Sequence, residues 1–134
     1  MSERRQCGLL DTCVVIDLPQ IDPELLPFEV AVPSVVLAEL SQGVAMAKDP
    51  VQMLARAQRL ADVEAEFTAL PFDREAARRF GTLIALTIQA KRDPRPRLMD
   101  LMIAATAAAH GLPLYTRNAD DFIGLEQGIE VIAV

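Results

Sequence analysis

Short apolar segments alternate with longer helical patterns along the chain, and this alternation most limits what it can fold into. Five segments have the length and composition of buried strands: CGLL, EVAVP, FTALPF, LPLYT and IEVIAV. Helix-forming stretches separate them, from VVIDL near the start to LMDLMIAATAAAH near the end. Because parallel strands need helical crossovers, we predict an α/β/α sandwich with a mostly parallel central sheet of four to five strands.

Capping residues predict where several helices begin and end. Ser34 is a suitable N-cap for VVLAELSQGVAMA, Asp49 precedes a proline that begins the next helix, and Asp73 caps REAARRFGTLIALTIQAK. Gly111 is placed to end LMDLMIAATAAAH at the C′ position. The segment KRDPRPR at 91–97 contains two prolines and is predicted to be a loop.

The length and composition fit one domain spanning residues 1–134. Hydrophobic residues make up 51% of the chain and aromatic residues only 4%, so the core must consist mainly of Ala, Val, Ile and Leu. Cys7 and Cys13 belong to no cluster with metal-ligand spacing, and we expect free thiols in a reducing cytoplasm. No apolar run approaches the roughly 20 residues of a membrane span.

The net charge of −6 argues against a protein that holds nucleic acid by a general basic surface. It does not exclude an RNA substrate, because a site lined with carboxylates would itself make the chain acidic. Such a site would need basic side chains nearby to hold a phosphate backbone.

Acidic residues occur repeatedly where apolar neighbours are expected. Asp11 separates two apolar runs at the end of the first strand, Glu39 lies on a partly apolar helix face, and Asp100 begins a strongly apolar helix. The segment TRNADD follows the fourth strand and adds Asn118, Asp120 and Asp121. Since ligands collect at the carboxyl ends of parallel strands, we expect several of these oxygens at one edge of the sheet.

Each acid also has a structural explanation when taken alone. Asp100 would complement a helix dipole, Asp11 would cap a short helix, and Glu39 would pair with an arginine. Together they favour a site, because buried carboxylates need a partner or a metal. Oxygen ligands favour Mg²⁺ or Mn²⁺ over zinc, and the one histidine, His110, is placed to cap a helix end. Without a Ser-His or Cys-His pair, a metal-held water is the expected nucleophile.

Three segments in this order resemble the PIN-domain family, in particular the VapC toxins of bacterial toxin-antitoxin systems: LLDTCVVID, PSVVLAEL and RLMDLMIAATAAAHGLPLYTRNADDF. The last is the most specific, because a helix that begins with Asp is followed by Gly, an apolar strand and TRNADDF. The resemblance covers essentially the whole chain. It implies a PIN-like fold and a metal-dependent endoribonuclease that hydrolyses RNA phosphodiester bonds.

The resemblance also implies roles for individual residues. Asp11, Glu39 and Asp100 would bind metal, and Thr12 and Thr116 would orient water or phosphate. The fourth position is filled either by Asp121 or by the amide oxygen of Asn118, and Asp120 is expected to be solvated. Apart from the resemblance, the charge of the basic loop predicts that it holds flanking phosphates together with Arg117; its basic residues are Lys91, Arg92, Arg95 and Arg97. A homodimer and a VapB-like antitoxin are the implied protein partners.

Three other interpretations remain open at this stage. The fold could serve a catalytically weak RNA-binding or regulatory module, for which Asn118 is the best argument. The same acidic site could process RNA or cleave flap-like DNA, although such enzymes usually carry added domains. A receiver domain also places acids at strand ends, but its mid-chain phosphoacceptor Asp and late Lys are not evident.

Overall fold

A computed structural model describes residues 3–134, and its five strands form one parallel sheet. The strands are β1 (Cys7–Leu10), β2 (Glu29–Pro33), β3 (Thr68–Leu70), β4 (Leu114–Thr116) and β5 (Val131–Ala133). Their order across the sheet is β3-β2-β1-β4-β5, and every neighbouring pair is parallel. The predicted parallel sheet is therefore confirmed, with five strands.

Five α-helices connect or flank the strands. They are α1 (Thr12–Asp17), α2 (Ser34–Ala45), α3 (Pro50–Glu66), α4 (Arg74–Gln89) and α5 (Leu98–Ala109). Right-handed crossovers that move in opposite directions along a sheet place their helices on opposite faces. Consistent with this rule, α2 packs against α3, and α4 packs against α5.

The direction of the chain across the sheet reverses between β1 and β4. From β1 the chain moves to β2 and β3, crosses back to β4 on the other side of β1, and ends at β5. At the carboxyl ends of this central pair, the backbone N–H of Asp11 donates to the carbonyl of Tyr115 over 2.9 Å. Open parallel sheets bind their ligands at such a reversal. The fold therefore indicates that the site lies at this edge.

The core is aliphatic, as the composition predicted. Leu9 and Leu10 of β1 are fully buried, as are Leu101 and Ile103 of α5. Alanines occupy much of the buried face of α5, and small side chains let a helix lie close to its neighbours.

Most predicted helix boundaries are confirmed. The Asp49 side chain accepts from the backbone N–H of Gln52 at the start of α3, and the Asp73 side chain caps α4 in the same way. At the end of α5, Gly111 has a φ of 64°, a conformation that favours glycine. The Leu112 N–H then donates back to the Ala107 carbonyl, which completes a Schellman cap.

The prediction that Ser34 caps α2 is wrong by one residue. Pro33 is the N-cap, and Ser34 is already the first helical residue. Proline fixes φ near the value that Pro33 adopts, so the chain turns from β2 into α2 without a side-chain cap. The predicted loop at 91–97 does interrupt the helices, but its last three residues form a 3₁₀ turn.

Several strands are shorter than their apolar segments. FTALPF pairs only over Thr68–Leu70, and IEVIAV pairs only over Val131–Ala133.

Across residues 3–134, no helix combines the length and hydropathy required to cross a bilayer.

We expect Gly81→Ala to stabilise the protein by about 0.5–1 kcal/mol, because glycine lowers the stability of a helix interior. Gly81 lies on the exposed side of α4, and a Cβ added there would meet no atom within 4 Å. Gly8→Ala is the contrasting variant, since its Cβ would overlap the buried Tyr115 ring. Urea unfolding measures both changes; equal destabilisation by the two variants would contradict the expectation.

Candidate active site

The buried carboxylate of Asp11 anchors the site at the edge of the sheet. Its side chain is only 5% exposed. One oxygen accepts from the backbone N–H of Thr12 over 2.7 Å, and the other accepts from the Thr116 hydroxyl, also over 2.7 Å. Because Asp11 follows β1 and Thr116 ends β4, this second bond joins the two central strands through their side chains.

Glu39 approaches the same edge from α2. The Thr12 hydroxyl donates to its carboxylate over 2.7 Å, so Thr12 contacts Asp11 through its backbone and Glu39 through its side chain. Burial and the nearby Asp11 charge raise the pKa of Glu39, while the Thr12 hydrogen bond opposes that rise. The predicted placement of Glu39 on a partly apolar face is confirmed, since Val35 and Val36 beside it are buried.

Asp100 is the least satisfied acid of the group. It lies in the first turn of α5, it is half-buried, and no hydrogen bond reaches its carboxyl from the described residues. Burial raises its pKa from 3.8 to about 6, with further contributions from the charges of Asp11, Asp121 and Glu39. Four carboxyl groups from four segments of the chain therefore interact at one place.

Arg97 is the basic side chain that belongs to this acidic cluster. Its guanidinium lies 3.8 Å from a carboxylate oxygen of Asp121, and its charge lowers the pKa of Asp100 in opposition to the acids. The Nε atom of Arg97 is buried and has no hydrogen-bond partner among residues 3–134. A buried donor without a partner costs free energy, so Arg97 is an unsatisfied group beside these acids.

Asp121 and Asn118, the two candidates for the fourth metal-binding position, have different surroundings in the structure. Asp121 lies on a 3₁₀ turn and acts electrostatically on Asp100. Asn118 is exposed; its backbone N–H donates to the Thr116 hydroxyl, and its backbone carbonyl accepts from Asp121. Asp120 is exposed, as predicted. Asn118 thus orients the turn that carries Asp121.

The chemistry of the donors fits a hard divalent cation. Carboxylate oxygens predominate, and mutual repulsion of this kind is relieved by Mg²⁺ or Mn²⁺. The arrangement is not a closed coordination shell: in the described part of the chain, no three acidic, histidine or cysteine side chains converge closely enough to hold an ion. Asp11 and Glu39 instead bond to protein donors.

The other predicted phosphate-binding arginines contact protein groups outside the four acids. Arg92 donates to the carbonyl of Asp120 over 2.8 Å, and Arg95 forms a bidentate pair with Asp93. Arg117 lies 3.4 Å from a carboxylate oxygen of Asp17. These exposed contacts are weak enough to exchange for phosphate, and their predicted role stays a prediction.

Cys13 is part of this site, although its spacing suggested no functional role. Both cysteines are free, as predicted, and the Cys13 thiol lies 3.4 Å from Asp11 and 3.6 Å from Thr116. Burial is the main reason that its pKa is raised. The position two residues after Asp11, at the start of a helix, could have indicated this contact.

Arg56 and Arg59 of α3 also lie beside the acidic residues. Both are half-buried, and they line a cavity together with Thr12 and Glu39. This placement depends on how α3 packs against α2, which periodicity along one helix does not specify.

Known proteins are similar to this chain in sequence and in fold. The family model of the PIN domain matches residues 9–125. The chain is 40% identical, over 141 aligned positions, to Ribonuclease VapC5 of Mycobacterium tuberculosis, and the alignment covers both chains in full. The crystal structure of VapBC-5 from the same organism superimposes with a TM-score of 0.84 at 38% identity, over 96% of this chain and 99% of that one. VapBC2 from Rickettsia felis, bound to promoter DNA, shares the fold, with a TM-score of 0.75 at 20% identity over 96% and 98% of the two chains.

We expect Asp100→Asn to stabilise the metal-free protein at pH 7 by about 1–3 kcal/mol. A carboxyl whose pKa rises from 3.8 to about 6 on folding takes up a proton between these values, so the free energy of unfolding falls as the pH rises through them. Asparagine stays neutral, so the free energy of unfolding of the variant does not fall for this reason as the pH rises. Urea unfolding in EDTA at several pH values measures the difference, which should disappear near pH 4. A variant less stable than wild type at pH 7 would contradict the prediction.

We expect Thr116→Val to destabilise the protein by about 1–3 kcal/mol at pH 7, because it removes a donor from the buried Asp11 carboxylate. Thr116→Ser should keep most of the stability. Thr87→Val is the matched control, since the buried Thr87 hydroxyl donates only to the helix carbonyl of Leu83. Equal losses for the two valine variants in urea unfolding would count against a special role for the Thr116 bond.

Proposed function

This chain belongs to the PIN-domain family, and on that premise we propose that it is a metal-dependent endoribonuclease, the toxin of a VapBC-like toxin-antitoxin module. The observation that carries the proposal is the half-buried Asp100, which faces three other acids and has no hydrogen-bond partner among the described residues. A merely structural carboxylate would have a donor. The similarity to a ribonuclease over the full length supports the same reaction.

Asp11, Glu39, Asp100 and Asp121 would hold a Mg²⁺ or Mn²⁺ ion. When bound, the cation supplies a water of lowered pKa and offsets the charge of the scissile phosphate. Thr116 and Thr12 keep Asp11 and Glu39 in position through their hydroxyl groups.

Arginines provide the positive charge that an RNA backbone requires beside these acids. The guanidinium of Arg97 lies beside Asp121 and Asp100, where it would bind a non-bridging phosphate oxygen. Arg92, Arg95 and Arg117 would exchange their protein contacts for flanking phosphates.

We propose a VapB-like antitoxin as the protein partner, because the structural relative with the higher identity is a VapBC complex. We further propose that the toxin acts as a homodimer in the cytoplasm, where RNA is available.

The alternative of a catalytically weak module rests on Asn118, which carries no charge. Its side chain is exposed, while the nearby Asp121 supplies one of the three negative charges that act on Asp100. We therefore place Asp121 in the metal-binding set and favour an active enzyme over a binding module.

We expect the antitoxin-free protein to cut total bacterial RNA into discrete fragments with Mg²⁺ or Mn²⁺, and EDTA to abolish cleavage. Asp100→Asn should lower the rate by about 100-fold or more, since even indirect partners of metal ligands typically contribute about 10–100-fold. Fragment yield against time measures both effects.

Asp120→Asn is the matched control, because it removes the same charge from an exposed position near Asp121. Its rate should stay within about twofold of wild type. If folded wild-type protein leaves RNA intact with both metals, or if Asp100→Asn cleaves as fast as wild type, the proposed function is wrong.

A further inference from the structure

A cavity of about 430 Å³ opens beside the acidic cluster. Its lining comes from α1, α2 and α3 and consists of Thr12, Ile16, Glu39, Leu40, Gly43, Arg56 and Arg59. Thr12 and Glu39 belong to the acidic site as well, so the cavity is continuous with it. None of the arginines considered above for RNA binding lines this space.

Two guanidinium groups give the cavity its positive charge. Arg56 and Arg59 are three residues apart on α3, a spacing that places both side chains on one helix face. Each is half-buried, and no carboxylate from residues 3–134 lies within ion-pair distance of either. In a chain with a net charge of −6, two neighbouring arginines without an acidic partner require explanation.

The two arginines differ in how much of their bonding capacity is used. One Arg56 N–H donates to the carbonyl of Gly43 over 2.6 Å, close to the end of α2, where carbonyl groups lack helical partners. Arg56 thus also stabilises the α2–α3 contact. Arg59 makes no hydrogen bond within the described residues, so all its donors remain available.

Resting on the proposed function, we propose that this cavity is a subsite for an RNA backbone phosphate that flanks the scissile one, with Arg59 as its main ligand and Arg56 as its second. A phosphodiester accepts paired N–H donors from a guanidinium in a matching geometry. The apolar surfaces of Ile16 and Leu40 border the same space and suit the less polar parts of a nucleotide.

The position of the cavity explains why a positive subsite is useful there. The acid cluster attracts a cation but repels the phosphates on either side of the cleavage point. The arginines near Asp100 and Asp121 can compensate on the α5 side, whereas Glu39 and Thr12 lie on the α2 side. Arg59 supplies the compensating charge on this second side.

The test compares Arg59→Ala, Arg59→Lys and wild type on a short synthetic RNA that carries a cleavage site mapped from total bacterial RNA. We expect Arg59→Ala to lower kcat/KM by about 10-fold, mainly through KM, and Arg59→Lys to recover part of the loss. The slope of log kcat/KM against log salt concentration should become shallower by about 0.7 for the lost phosphate contact. The mapped cleavage position should not change.

Arg78→Ala is the matched control, because Arg78 is an exposed arginine of α4. It removes the same charge away from the cavity, and its kcat/KM and salt slope should match wild type. Thermal unfolding of each variant separates a binding defect from loss of fold. Arg59 is the decisive position, since Arg56→Ala would also break the contact with Gly43.

The outcomes separate the two proposals. If wild type cleaves RNA while Arg59→Ala keeps the kcat/KM and salt slope of Arg78→Ala, the phosphate subsite is wrong and the ribonuclease proposal stands. The cavity would then be left to a protein partner such as an antitoxin. If folded wild type cleaves no RNA with Mg²⁺ or Mn²⁺, the proposed function fails and the subsite fails with it.

Discussion

The hydrogen bond between Thr116 and the buried carboxylate of Asp11 is the interaction on which the site depends. It joins the ends of β1 and β4, the two strands between which the chain reverses its direction across the sheet. An ionised carboxylate at 5% exposure would be strongly destabilising without donors. The bonds from Thr116 and from the Thr12 backbone supply them, and this position brings Asp11 within electrostatic range of Glu39 and Asp100.

From Asp11 outward, the acids become less satisfied by the protein itself. Asp11 has an N–H and a hydroxyl donor, Glu39 has one hydroxyl donor, and Asp100 has none among the described residues. Asp100, whose pKa rises to about 6, is affected most by burial and by the repulsion among these acids. A bound cation would therefore relieve the most repulsion at Asp100, the acid that α5 contributes.

Much of this site was predictable because carboxylates are rare on apolar faces. Asp11, Glu39 and Asp100 each interrupt a pattern of buried neighbours, and parallel topology brings their segments to one edge. The exact start of α2 was not predictable, because Ser34 and Pro33 are both reasonable at a helix start and only the path of β2 decides between them.

Arg56 and Arg59 illustrate what sequence periodicity leaves out. On an isolated α3 they would belong to the polar face, yet the packing of α3 against α2 encloses that face beside Glu39. The Cys13 contact with Asp11 is a different case, because it is local to one short helix and the position two residues after Asp11 could have indicated it. Contacts between elements distant in sequence cannot be obtained from the pattern of either element alone.

In a site built in this way, the stability of the folded protein depends on whether a ligand is bound. Charges held close together raise the free energy of the folded state, and any ligand that binds only the folded state lowers it by mass action. The acidic cluster and the arginine-lined cavity favour ligands of opposite charge: the first favours a cation, and the second favours an anion. Because the two share Glu39 and Thr12, neutralising the acids with a cation also removes the repulsion that an RNA phosphate would meet on entering the cavity. Cation binding and RNA binding should therefore reinforce each other, and this coupling follows from the charges on the two sides of Glu39.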